Sequence, residues 1–214
     1  MRVCLASTSP ARLMLLRQAG IEPETRAPGV DEEAVIAEVE ALSGRLSPED
    51  HVLLLARRKA EDVAALLAAE DPAFDGIVVG GDSMFALGDE ILGKPHTPEA
   101  ATARWRDMRG RTGVLHSGHS VIRLTPGAAP AAASAVAAAS VSFAADVTDD
   151  EIAAYVATGE PLQVAGAFTV DSLGGAFIER VEGDPSTVVG MSLSTLRHLV
   201  GELGIAWPRL WNRV

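Results

Sequence analysis

Cys4 is the chain's single cysteine, which excludes both a disulfide framework and a thiolate metal site. It lies in the apolar run 2–6 and is expected to pack inside a strand. No apolar stretch reaches the length of a membrane span, and residues 1–12, MRVCLASTSPAR, lack the basic-then-apolar order of a secretory signal. The cytoplasm is therefore the expected compartment. Positive charge is scarce too. Eighteen Lys and Arg against 29 Asp and Glu leave a net charge of -11, a field that repels nucleic acid and anionic membranes at long range. A small anion can still bind where a few cations are concentrated in one pocket. No Gly-rich loop ends in Gly-Lys-Ser/Thr, and no Gly-x-Gly-x-x-Gly follows the first predicted strand, so both usual nucleotide-binding signatures are missing. His116 and His119 stand three apart on a predicted strand and project to opposite faces. They are expected to be structural rather than to share an ion.

What is present can build a substantial core: 214 residues, 48% hydrophobic and 22% charged, fit one large domain or two closely packed lobes. No repeat or linker divides the sequence. After a strand over 2–6, Ser9 as N-cap, Pro10 as first helical residue and Gly20 as stop predict a helix with Leu13, Leu16 and Ala19 inward. A strand with irregular edges is expected over 22–30. Ser47-Pro48 opens a helix to about residue 70 with Val52, Leu55, Ala56, Val63, Leu66 and Leu67 on its apolar stripe. Thr97-Pro98 opens another, carrying Ala101, Trp105 and Met108 and stopping at Gly110. Strands over 114–124 and 136–143 flank a Pro/Gly/Ala stretch, 125–133, that reads as a long mobile hairpin loop. Thr148 and Glu151 form a capping box. Further strands near 167–170 and 176–181, and a helix from Ser192 to Gly204, lead to a tail that Trp207 and Trp211 would fasten.

Chemistry gathers in 77–95. Ile77 to Val79 read as a strand, Gly80 and Gly81 interrupt it, and Asp82 is expected where that strand ends. Gly88-Asp89 reads as a two-residue hairpin loop before Ile91 and Leu92 run back. The turn brings Lys94 towards Asp82, yet ideal pairing sets Lys94 opposite Ser83, so a common face needs a bulge at one of the glycines. The segment is either a surface hairpin with a solvated lysine or half of a site. Two other places offer cations. The loop 6–9, with Ser7 and Ser9, points backbone N–H groups at a helix N-terminus with Arg12 on its first turn, an arrangement that either caps the helix or holds phosphate. Lys59 falls three residues after Ala56 and four after Leu55, on the buried stripe. A lysine there snorkels to the rim or points into a cleft. Asp31, Glu32 and Glu33 either complement a helix dipole or supply one hard-metal ligand.

LASTSPAR at 5–12, GVDEE at 29–33, RKA at 58–60, GGDS at 80–83 and ILGKP at 91–95 together resemble the Maf family. YVATGEPLQVAGAF at 155–168 and EGDPSTVVGMSL at 182–193 continue the likeness, in order, so that it covers nearly the whole chain as one Maf-like domain over 1–214. The resemblance implies an α/β fold like that of the inosine triphosphate pyrophosphatases, an elongated mixed sheet flanked by helices, with two lobes and a central cleft. It also implies a nucleoside triphosphate pyrophosphatase of nucleotide house-cleaning, cutting between the α- and β-phosphates with a divalent cation, Mg²⁺ or Mn²⁺. By motif, the catalytic aspartate corresponds to Asp82 and the metal ligands to Glu32 and Asp82. Arg12, Lys59 and Lys94 correspond to the triphosphate-binding cations, and Ser7 and Ser9 to the phosphate-holding turn. The expected partner is a nucleoside triphosphate, with no nucleic acid and no membrane; a homodimer stays open.

Three positions depart from the family's named branches. Where the dTTP/UTP branch has arginine, threonine and glutamine, and the 7-methyl-GTP branch tryptophan, glutamine and glutamate, this chain has Ala11, Ser83 and Asp171. Ala11 leaves room, and an ionised Asp171 only accepts hydrogen bonds, which suits a base edge bearing N–H; uracil N3, the cytosine amino group and guanine all offer one, and the room at Ala11 tilts the expectation to pyrimidines, 5-substituted ones included. The competing class is a non-catalytic nucleotide-binding regulator of septum formation, and Asp82, Glu32 and Lys94 together favour catalysis.

Overall fold

A computed structural model describes residues 1–213. In chain order the regular elements are β1 (Arg2–Ala6), α1 (Pro10–Gln18), β2 (Glu24–Thr25), α2 (Glu32–Ser43), α3 (Pro48–Glu70), β3 (Gly76–Leu87), β4 (Glu90–Leu92) and α4 (Pro98–Met108). They continue with β5 (Thr112–Leu124), β6 (Ala131–Phe143), α5 (Asp149–Ala157), β7 (Ile178–Glu182), α6 (Pro185–Val189) and α7 (Leu193–Glu202). The strands form one mixed sheet in the order β2-β1-β3-β5-β6-β7, with β4 paired to β3; helices flank it. β1 runs parallel to β2 and β3, whereas β3–β4 and β6–β7 are antiparallel. No helix among the described residues is long and apolar enough to cross a membrane.

The chain folds into two compact units, one of residues 1–82, 117–137 and 190 onward, the other of 83–116 and 138–189. In the first, α3 lays Ala60, Val63, Ala64 and Leu67 against Cys4, Ala6, Val78, Ile122 and Leu124. The core of the second is aromatic: Phe85, Trp105, Phe143, Tyr155, Phe168 and Phe177 meet mostly edge to face with centroids 4.9–6.0 Å apart, the geometry that the ring quadrupole favours. Trp105 Nε1 donates to the Ala167 carbonyl at 2.8 Å, so the indole is buried with its polar atom satisfied.

Helix starts fall where the capping residues put them. Ser9, Asp31, Ser47, Thr97, Thr148 and Ser192 each accept the backbone N–H of the residue three further on, and Thr148 and Glu151 close a capping box. The Gly88-Asp89 turn is present, with Leu87 opposite Glu90 and Gly88 at φ +62°.

Several expectations need correction. The glycines do not interrupt β3, which is one strand of 12 residues with Asp82 inside it. Pairing with β4 stops at Leu92, so Lys94 lies beyond the ladder. The second strand shrinks to Glu24–Thr25. β6 begins at Ala131, which shortens the Pro/Gly/Ala loop. No strand forms over 167–170: Gly166 and Ala167, at φ +74° and +62°, close a 3₁₀ turn over 165–167 and the chain runs on without a ladder. Leu15 rather than Leu13 joins Leu16 inside, and Leu66 is 47% exposed. Trp211 is likewise 47% exposed, but its ring lies against Gly20, where an added Cβ would stand 3.2 Å from it, and Asn212 ties the tail further: its N–H donates to the Gly20 carbonyl and its side chain bonds Glu22.

Candidate active site

In the first unit, the parallel pairing of β1 with β3 sets Ala6 beside Gly80, so the turn after β1 and the acid two residues beyond Gly80 leave the sheet as neighbours. Gly80 also fixes the distance to α3. A Cβ there would fall 2.3 Å from the Ala56 carbonyl oxygen and 2.8 Å from the Ala60 methyl, so only glycine lets the helix lie this close. Lys59, on the α3 face turned to the sheet, is thereby delivered to Asp82. Its ammonium stands 2.7 Å from Asp82 Oδ1 and 2.8 Å from Glu32 Oε1. Lys59 is 7% exposed, the Asp82 side chain 13% and Glu32 51%. One cation thus joins a part-buried acid of β3 to a half-exposed acid on the first turn of α2. This answers the question the sequence left open: Lys59 is buried because it is paired.

The Ser7–Ser9 turn sits beside this pair. Ser7 is buried, and its Oγ accepts from the Ser9 backbone N–H at 3.1 Å and from Arg12 Nη1 at 3.3 Å. Ser9 Oγ caps α1 through the Arg12 backbone N–H. The Arg12 guanidinium donates through Nε to the Gly190 carbonyl at 2.9 Å. Burial lowers its pKa, and the charges of Asp82 and Glu32 pull the other way. Ser117 Oγ bonds both the Asp82 and Gly190 carbonyls, at 3.3 and 3.2 Å. Ser7, Ser9, Arg12, Glu32, Lys59 and Asp82 thus form one continuous polar network, braced by two residues, Ser117 and Gly190, that sequence reasoning missed. The signal for Gly190 lies in the EGDPSTVVGMSL block at 182–193.

Of the remaining candidates, Ala11 is half-buried on α1 in this unit. Ser83, Lys94 and Asp171 belong to the second unit. Lys94 is exposed and forms no ion pair among the described residues; Asp171 is exposed as well. His119, buried in β5, accepts the Ser192 N–H at 2.8 Å and serves as a structural acceptor. Among the described residues no group of three or more His, Cys, Asp or Glu could hold a metal by itself. A groove of about 510 Å³ lined by Gln18, Arg197, Trp207 and Trp211 contains none of the candidate catalytic residues. Arg197 is the one charged residue in its lining, and no acid converges on it there.

Comparison with known proteins gives this polar network a context. The family model described as Maf-like protein matches residues 2–203. The nucleoside triphosphate pyrophosphatase of Leifsonia xyli subsp. xyli is 62% identical, with 100% of this chain and 98% of that one covered. The protein of the same name from Rhodococcus jostii is 51% identical over 97% and 94%. Among solved structures, the Staphylococcus aureus Ham1 protein aligns with 68% of this chain and 73% of its own at 12% identity and a TM-score of 0.32, too distant to bear on the site.

Proposed function

This chain belongs to the Maf-like protein family, and on that premise we propose that it is a nucleoside triphosphate pyrophosphatase, which adds water across the α–β phosphoanhydride bond to give a nucleoside monophosphate and diphosphate. The single observation that carries the assignment to these residues is the Lys59 ammonium held between Asp82 and Glu32 beside the Ser7–Ser9 turn and Arg12. Phosphoryl transfer demands little covalent chemistry from a protein. It demands cations where charge gathers on phosphate oxygens, and an acceptor for the proton of the attacking water. Arg12, Lys59 and Lys94 are the cations in this reading. The Ser7 and Ser9 hydroxyls hold a phosphate oxygen. Asp82 orients the water and takes its proton, which leaves the nucleophilic oxygen free to displace the diphosphate.

A divalent cation fits the donor set. Glu32 and Asp82 already converge on one positive centre, and Mg²⁺ is held by one or two carboxylates with phosphates and water completing its shell. Mg²⁺ or Mn²⁺ on these two residues would supply charge neutralisation to the triphosphate. Activity should vanish with chelator and return with either ion.

For the base we propose a pyrimidine lean, because Asp171, when ionised, accepts an N–H and Ala11 leaves space for a 5-substituent. The deciding experiment is a phosphate-release screen over ordinary and modified nucleoside triphosphates with Mg²⁺ and with Mn²⁺. Turnover of at least one, lost in Asp82→Asn, supports the reading. Binding without turnover of any triphosphate would leave the regulatory alternative standing instead.

A further inference from the structure

Glu160 follows α5 in the second unit, and five donors converge on its carboxylate. Oε1 accepts from the Tyr155 hydroxyl at 2.9 Å, from the Gly174 N–H at 3.1 Å and from the Thr169 hydroxyl; Oε2 accepts from the Ser172 hydroxyl at 2.7 Å and the Leu173 N–H at 3.3 Å. Four of these donors lie in the stretch 169–174, on both sides of Asp171. That stretch has no strand or helix ladder of its own beyond a 3₁₀ turn starting at Leu173, so the carboxylate replaces the missing backbone partners. Packing closes the same knot. A Cβ at Gly174 would fall 2.6 Å from the Tyr155 hydroxyl and 2.7 Å from the Thr169 carbonyl oxygen. Asp171 itself is exposed, and its carboxylate makes no hydrogen bond or ion pair among the described residues. The segment is therefore pinned on both flanks while its central acid faces outward.

A surface turn needing only stability could be tied by backbone bonds or a small hydrophobic staple. One charge-assisted acceptor shared by five donors instead fixes a geometry, which matters where an outward-facing group must meet a ligand at hydrogen-bond precision. Resting on the nucleotide reading above, we propose that Glu160 is a positioning residue for base selection: it holds the 169–174 loop so that Asp171 presents its carboxylate to the nucleobase in one orientation.

The test compares Glu160→Gln and the milder Ser172→Ala, each in the parent and in an Asp171→Ala background, using purified full-length protein. Glutamine keeps the size but offers an N–H₂ where Ser172 and Leu173, or Thr169 and Gly174, need an acceptor. Amide hydrogen exchange at Leu173 and Gly174 should speed up at least about tenfold in Glu160→Gln, whether or not the protein is active. In the parent background the ratio of kcat/KM between the best and the worst cleaved nucleoside triphosphate should narrow by about tenfold, through KM more than kcat. Ser172→Ala should move the ratio in the same direction by less. With Asp171→Ala already present, either change should move it by less than about twofold. Unchanged amide exchange would overturn the pinning. Loosened amides with an unchanged ratio, or an equal shift with and without Asp171, would overturn the positioning role and leave Glu160 a structural clamp. A parent protein that cleaves no nucleoside triphosphate yet shows the exchange change would sink the functional reading on which the proposal rests, while the pinning itself would survive.

Discussion

Asp82 and Lys59 constrain each other, and their substitutions should not be additive. Asp82→Asn keeps an acceptor for the Lys59 ammonium but loses the basic oxygen, so kcat should fall by about a hundredfold or more, the scale of a lost general base, with a circular dichroism spectrum like the parent's. Near-parental kcat would remove Asp82 from its role. Lys59→Met removes the ammonium that stands 2.7 Å from Asp82 Oδ1 and leaves that part-buried acid without its hydrogen-bonded ion-pair partner. It should cost stability on the order of 1–3 kcal/mol, below the range for fully buried pairs because the other partner, Glu32, is half exposed. Pairing Lys59→Met with Asp82→Asn should recover part of that loss in chemical denaturation, and strict additivity would show the ion pair to be energetically silent. Helical periodicity on α3 made the burial of Lys59 legible in the sequence. Its partners were not legible, because Glu32 and Asp82 sit on different elements, 27 and 23 residues away, and no local spacing encodes that meeting. Glu160 was invisible for the same reason. Its pKa carries a testable sign: burial would raise it, but hydrogen bonds from Thr169, Ser172, Tyr155 and Gly174 outweigh burial and bring it down from 4.5 to about 2. A carboxylate depressed in the folded state contributes stability that is full above its unfolded pKa and is lost as pH falls towards the folded one. Between pH 4.5 and about 3, Glu160→Gln should therefore lose less stability than the parent does. Equal acid slopes for the two proteins in urea titrations would contradict the shift.

Elements were read best where punctuation is chemical. Ser or Thr before Pro set the starts of α1, α3 and α4, and the capping box set α5, because an orphan N–H at a helix start has few other acceptors. Strands fared worse. Gly80 and Gly81 read as breakers, since a glycine weakens an isolated strand, yet β3 runs through them: sheet pairing with β1 and close packing of α3 override the local preference. The 165–177 region misled for the opposite reason, its apolar residues being buried by irregular turns around the aromatic cluster rather than by a ladder. Gly80→Ala tests the packing account. Its methyl must displace the α3 backbone at Ala56, so we expect a loss of about 1–3 kcal/mol and, because Lys59 rides on the displaced helix, a fall in kcat/KM beyond what the remaining folded fraction explains. A melting temperature equal to the parent's would mean that α3 is not held at the distance this glycine permits.

Over the whole molecule, the two units are not two beads on a string. The first is assembled from three separate segments and the second from two, so the chain crosses between them four times. Three of those crossings lie within single strands: β3 passes from one unit to the other after Asp82, β5 before Ser117 and β6 after Ala137. Fraying β3 in the second unit removes the residues that pair with β4, and fraying it in the first removes the partner of β1. Strand continuity is therefore expected to tie the stability of each unit to the other, which unfolding can test. A boundary that falls inside strands leaves no Pro/Gly/Ser-rich seam in the sequence, which is why no linker is legible between the units. We expect thermal unfolding in a single transition, with calorimetric and van't Hoff enthalpies equal within error, and coincident melting of signals from Trp105 in the second unit and Trp207 in the first. The substitution Phe143→Ala gives the sharper arm: it removes an aromatic shared by Phe85, Trp105 and Phe168 and should cost about 3–5 kcal/mol. If the strands couple the units, Trp207 fluorescence will melt earlier by the same number of degrees as Trp105 fluorescence. A second unit that melts alone, leaving the Trp207 transition at its parental temperature, would show that the shared strands transmit no stability and that the two units fold independently despite their interleaved chain.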